Sequence, residues 1–231
     1  MTEQVEVAGH TVEIRRHARA KHMRLAVNPG TGTFRLTIPK RVSLRSAVDW
    51  AREQREWVGT QARAMPQPQS IRSGMLIPVG DDRLTLVWAA HHRRVPRRDA
   101  MQLCVGGVES DIAAPVLRWL KREALRVLTE DTAAIAARAG ATVRRVGVGD
   151  PRSRWGSCSA AGDIRYSWRL IMAPSSVRRA TVAHEVAHRV HMNHSPAFHA
   201  LVRALLGDDP TPSRDWLRLH GNSLHGFGRE N

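Results

Sequence analysis

Over most of the first 40 positions apolar and polar residues alternate with a period of two, which predicts strands. Val5 and Val7, then Thr11-Val12-Glu13-Ile14, flank Gly9-His10, a pair suited to a tight turn. Arg24 to Val27 and Thr33 to Ile38 flank Asn28-Pro29-Gly30-Thr31-Gly32, so these runs read as a hairpin closed by Pro39. At Ser43, a predicted N-cap, the period changes. Leu44, Val48, Ala51, Trp57 and Val58 give one amphipathic helix to about Met65. Pro66-Gln67-Pro68-Gln69-Ser70 reads as a linker.

Beyond it, Met75 to Ala90 and Ala100 to Val105 read as strands around a basic loop, His91 to Arg98. From Ala114 to Ala139 the spacing is helical, with Pro115 in the first turn and Gly140 at the stop. A short strand, Thr142 to Val148, precedes a second hairpin, Arg154 to Cys158 and Ile164 to Met172, that turns at Ala160 to Asp163. Pro174 ends it, and Ser175-Ser176 cap a helix running into a histidine-rich stretch. Helices from Ser195 to Leu206 and from about Pro212 to His220 complete the pattern. The class is α+β, with N-terminal antiparallel strands and a helix (1–66), strands and a basic loop (67–112) and a helix-rich core with an edge hairpin (113–231).

Composition narrows the function classes. The 231 residues hold 36 Lys+Arg against 21 Asp+Glu, a formal charge of +15, with 42% hydrophobic residues, so the chain folds rather than remaining a disordered polycation. No apolar run approaches the roughly 18 residues of a bilayer span. The acidic, polar start is unlike a secretory signal, and two cysteines, Cys104 and Cys158, are too few for a disulfide scaffold. A reducing, cytoplasmic setting without a membrane is the expectation. Thirty-three of the basic residues are arginine. Residues 1–66 hold 12 basic and 6 acidic residues, 67–150 hold 13 and 9, and 151–231 hold 11 and 6, so no segment is a basic tail. Such a field would attract nucleic acid non-specifically, and a soluble arginine-rich surface is the favoured reading over site-directed binding.

The chemistry lies in His184-Glu185-Val186-Ala187-His188. On a helix, histidines at i and i+4 share one face and can converge on one ion. The Glu beside the first His is placed to take a proton from the attacking water without ligating. Imidazole ligation with an open position is the signature of catalytic zinc. For a third ligand, His191 stays on the same face but sits about 10 Å along the axis from His184. Tetrahedral zinc wants its nitrogens about 3.4 Å apart. His194 lies past Asn193, which can turn the chain back as a left-handed C-cap, and Ser195-Pro196 then restarts a helix. His194 is therefore the better ligand. His191 and His199 read as surface or supporting residues.

The stretch His184 to His199 (HEVAHRVHMNHSPAFH) resembles the zinc motif of the YgjP-like metallopeptidase family, a branch of the zincins related to the SprT-type proteases. Arg154-Trp155-Gly156-Ser157-Cys158 resembles the family's RWGSC element. The run from Gly162 through Ile164 and Leu170 to Pro174, and that from Ile14 through Pro39 to Trp57, follow its pattern as well. Ser167, where relatives often carry Asn, and His199, where many carry Trp, depart from it. The resemblance implies a zincin-like core, one zinc per chain on His184, His188 and His194, Glu185 as general base, and a peptide or protein substrate. Tyr166 and Arg169 are candidates to stabilise the oxyanion, by proximity to the hairpin along which substrate would add as a strand. Trp155, Cys158 and Cys104 read as packing residues. The alternative is a DNA-associated protein, or a protease of DNA-bound proteins, using the basic surface.

Overall fold

The computed structural model describes residues 3–28, 32–63, 65 and 67–229, and divides into two compact units, Met1–Gln67 and Pro68–Asn231. In the first, β1 (Glu3–Val7), β2 (His10–His17), β3 (Arg24–Asn28) and β4 (Thr33–Pro39) form a sheet in the order β1-β2-β4-β3. The first turn falls at Ala8 and Gly9, both at positive φ, one residue before the expected pair. The centre of the second predicted turn, residues 29–31, lies outside the described residues, as do Ala64 and Pro66.

Antiparallel neighbours throughout are the sequence expectation, and β2 corrects it by pairing with β4 in parallel, Val12 opposite Phe34 and Ile14 opposite Leu36. The reason is burial. Phe34, Leu36 and Ile38 are fully buried, so β4 takes a central position, while half-exposed Leu25 and Val27 leave β3 at the edge. Local turn signals report only the partner next in sequence. The predicted single helix is two, α1 (Leu44–Glu53) and α2 (Arg55–Arg63), broken at Gln54, with Ser43 capping α1 through the Ser46 amide. Ala47, Ala51 and Val58 close this unit's core.

The second unit begins with β5 (Leu76–Val79), β6 (Asp82–Trp88), β7 (Arg97–Asp99) and β8 (Gln102–Val105), ordered β5-β6-β8-β7. The long helix α3 (Ala113–Arg138) follows. Strands β9 (Arg145–Gly149), β10 (Gly156–Cys158) and β11 (Asp163–Ser167) then form a small sheet in the order β10-β11-β9. A 3-10 turn, Trp168–Met172, replaces the second half of the predicted hairpin strand, and leads to α4 (Ser175–Ala187), α5 (Pro196–Leu206) and α6 (Thr211–Leu224). One core joins these elements: Ile77, Leu84, Leu86 and Leu103 from the sheet, Val116, Leu120 and Leu128 from α3, Val182 and Val186 from α4. The architecture is mixed α+β, with six α-helices and three small sheets among the described residues. No helix among them is long and apolar enough to cross a membrane.

Candidate active site

Helix α4 is fixed at its start and along its buried side. Its first amide, on Ser175, donates to the Asp81 carboxylate at 2.9 Å, and that contact holds the Asp81 pKa below its ordinary value. Arg178 pairs with Asp131 of α3 at 2.7 Å, both side chains largely buried. Val182, Ala183, Val186 and Ala187 pack into the core. The helix therefore presents His184 and Glu185 from a rigid base.

It ends sooner than the histidine spacing predicts. His188 is the C-cap, and the Arg189 and Val190 amides donate to Val186 and Ala187 in a tightened last turn. Asn193 does not adopt the left-handed conformation expected of it, since among the described non-glycine residues only Ala8 and Ala100 have positive φ. With the helix closed at His188, the chain has residues 189–193 in which to reverse. Ser195 then caps α5 through the Phe198 amide.

The reversal brings His194 back onto α4. The donor nitrogens of His184, His188 and His194 lie within 4.8 Å of one another, and Nε2 of His184 and of His194 are 3.2 Å apart. Phe198, fully buried, floors the group, its ring 4.6–4.9 Å from the three imidazoles. Nδ1 of His188 lies 3.1 Å from the His191 carbonyl. A carbonyl only accepts, so Nδ1 carries the proton and Nε2 is left to ligate. His191 thus serves the cluster through its backbone.

These residues fit a metal ion. Nitrogen ligands at 2.0–2.1 Å from a tetrahedral zinc sit about 3.4 Å apart, close to the His184–His194 separation. Two of the imidazoles, those of His184 and His188, are also biased toward the neutral form that a ligand needs. Burial, reinforced by the positive fields of His188, His194, His199 and Arg214, lowers the His184 pKa to about 4, and burial lowers that of His188.

Glu185 is 5% exposed, and burial raises its pKa to about 7 against the opposing pull of Arg154. Its carboxylate lies on the backbone of β10. A Cβ on Gly156 would stand 2.5 Å from Oε1 and 2.6 Å from Cγ of Glu185, so only glycine admits it there. Trp155 makes a similar close approach to Gly221 of α6, where a Cβ would be 2.6 Å from the indole, and its ring lies 5.3 Å from that of His225.

His184 and Glu185 open into a cavity of about 290 Å³ walled by Arg154, Trp155 and Gly156, by Val177, Ala180 and Thr181 of α4, by His199 and Val202 of α5, and by the Pro210 to Leu217 side of α6. Tyr166 and Arg169 do not border it. Tyr166 is fully buried, its hydroxyl 3.0 Å from that of Thr132 on α3, and burial raises its pKa. Arg169 is spent on Asp150, at 2.7 and 3.1 Å, and on the Phe227 carbonyl. Nearness in sequence misleads here, because alternate strand residues face opposite ways, and Tyr166 faces α3. Arg154, in the RWGSC element, carries no site role in the sequence reading, and Arg214 lies outside every motif, yet both border the cavity. The spacing of Pro210, Ser213, Arg214 and Leu217 along one face of α6 is the one signal for Arg214.

The family model described as YgjP-like, metallopeptidase domain, matches residues 21–220. No curated protein and no solved structure matches the chain. The match spans the histidine cluster, Glu185 and the Gly156 strand alike, and the chain belongs to the YgjP-like metallopeptidase family.

Proposed function

We propose that the chain hydrolyses peptide bonds with one zinc ion held by His184, His188 and His194 and with Glu185 as general base. The observation that carries this reading is the convergence of three imidazoles beside a buried carboxylate that opens on a cavity. Three protein ligands is the count of catalytic zinc sites, four that of structural ones. A bound zinc supplies Lewis acidity, which makes water acidic near neutral pH and polarises a carbonyl. Glu185 takes the proton of the attacking water and passes it to the departing amine. Its pKa near 7 suits it to both transfers. Gly156 keeps the carboxylate in place, and the His191 carbonyl holds the His188 ring in its ligating tautomer.

The test is Glu185→Gln. It should keep one zinc per chain by metal analysis and lose proteolysis of an unfolded protein substrate. Cleavage at the parent rate would overturn the reading. His194→Ala should lose zinc while His191→Ala keeps it, and the reverse result would reassign the third ligand.

One observation favours a second activity, binding of nucleic acid. Between Ile14 and Val48 the sequence carries nine Lys or Arg and no Asp or Glu, and the parallel ends of β2 and β4 bring Arg15, Arg16, Arg19, Lys21, Lys40 and Arg41 to one end of the first unit's sheet. All six are exposed, and none forms an ion pair among the described residues. Absence of duplex binding at near-physiological salt would remove this reading.

A further inference from the structure

We propose that the cavity beside His184 and Glu185 selects a substrate residue carrying a carboxylate, which Arg154 and Arg214 receive. The inference rests on the peptidase reading and names the class of peptide that the same site takes.

The walls are of two kinds. Val177, Ala180, Val202, Pro210, Leu217 and the Trp155 ring make most of the surface apolar. Two guanidinium groups stand among them. Arg154 comes from the loop before β10 and is near enough to Glu185 to pull on its ionisation. Arg214 comes from α6 and acts in the same way on His184. Neither has a carboxylate within 4 Å among the described residues. The hydrogen bond of Arg214 goes to a neutral group, the Thr211 hydroxyl at 3.2 Å, and neighbouring Asp209 is itself engaged by the Thr211 amide and hydroxyl. The contrast with the buried arginines of this unit is plain: Arg169 has Asp150 and Arg178 has Asp131.

Among the described residues Glu185 is the only acidic one of the lining, so the cavity carries more positive than negative charge next to the reacting groups. Apolar walls lower the local dielectric and strengthen the attraction of a guanidinium for an entering anion. A guanidinium also matches the planar, two-oxygen geometry of a carboxylate. At about 290 Å³ the space is at the small end of ligand pockets and takes one residue rather than a folded segment. An aliphatic or aromatic stem would lie on Val202 and Leu217, with its carboxylate at the rim arginines.

A peptide can offer that chemistry as a Glu side chain within the chain or as the α-carboxylate of an apolar C-terminal residue. The experiment separates the two. Peptides blocked at both ends, each with one Glu, are compared with their Gln counterparts, and peptides ending in a free Leu carboxylate with their C-terminal amides. Two readouts are taken: cleavage by the zinc-loaded parent, and binding of fluorescently labelled peptides to the Glu185→Gln protein by anisotropy. The acidic member of at least one pair should be preferred about tenfold or more, in KM rather than kcat and in Kd. The preference should vanish in Arg214→Gln and persist in Arg214→Lys. Preference in the blocked pair assigns a Glu side chain, and preference in the free-end pair assigns the chain terminus.

Equal treatment of acidic and neutral members in both pairs, absence of binding, or a preference unchanged in Arg214→Gln overturns the inference. A parent that cleaves no peptide, while binding still prefers the carboxylate and loses it in Arg214→Gln, counts against the peptidase reading and supports this one.

Discussion

Glu185 and His184 are neighbours in sequence, share one buried environment and are displaced in opposite directions by it. Burial raises the Glu185 pKa from 4.5 to about 7 and lowers that of His184 from 6.5 to about 4. Folding therefore binds a proton at Glu185 between about pH 4.5 and 7, and excludes one from His184 between about pH 4 and 6.5. By linkage the first makes metal-free protein less stable as pH rises, and the second makes it more stable. The two contributions nearly cancel through the middle of the range. Glu185→Gln removes one side of the balance. Its stability relative to the parent should rise by about 3 kcal/mol between pH 4.5 and 7. Urea denaturation of both proteins with metal chelated checks this, and a constant difference across the range would show that Glu185 titrates normally. Gly156 supports the same carboxylate sterically. Gly156→Ala places a methyl group 2.5 Å from Oε1, so the carboxylate must move. A displacement on the order of 1 Å at a catalytic group costs about 100-fold in rate, so kcat should fall by that order with zinc content unchanged. Activity within a factor of three of the parent would show that the carboxylate has room to spare.

At the scale of elements, the site depends on how firmly α4 is held. Arg178 and Asp131 form its most buried ion pair, with side chains 9% and 20% exposed. Removing one partner strands the other charge, at a cost of about 3–5 kcal/mol, whereas replacing both with apolar residues is close to neutral. Asp131→Ala should thus lower the denaturation midpoint strongly, and Asp131→Leu with Arg178→Met should recover most of the loss. If the double variant is no better than the single, the helix is held by packing alone. This pair also marks where a sequence becomes illegible. The helix itself could be read from Pro174 and the apolar spacing, and the converging histidines from HExxH, because both rest on periodicity within a few turns. Asp131–Arg178, Asp81 at the Ser175 amide and Gly156 beneath Glu185 join residues 25 to 100 positions apart, with no local pattern to announce them. The closure of α4 at His188 was hidden for a related reason. Arg189 and Val190 are acceptable helix residues, and the end is set by where the chain must reverse to deliver His194.

At the scale of the molecule, the charge of +15 looks uniform when counted along the sequence and does not stay uniform once folded. Within residues 1–66 the stretch between Ile14 and Val48 holds nine of the 12 basic residues and none of the six acidic ones. The parallel pairing of β2 with β4, His17 opposite Pro39, carries the ends of both strands and the loops beyond them to one side. A finer sequence count shows the run of basic residues, but no count shows which strand ends meet. Between Arg15 and Arg41 the one Phe, Tyr or Trp is Phe34, and it is buried. The partner of the patch would be a duplex backbone, met through phosphates alone. Each phosphate neutralised releases counterions and adds about −0.9 to the slope of log K against log salt. Replacing Arg19, Lys21, Lys40 and Arg41 by Ala should therefore flatten the slope by about 3 to 4 and weaken binding alike on unrelated duplex sequences. Replacing Arg93 and Arg94 of the β6–β7 loop together with Arg97 at the start of β7, an equally dense cluster in sequence, should leave it unchanged. Salt titrations of the full chain on a labelled duplex decide between them. An equal loss from both sets would mean that net charge, rather than the end of this sheet, governs the contact.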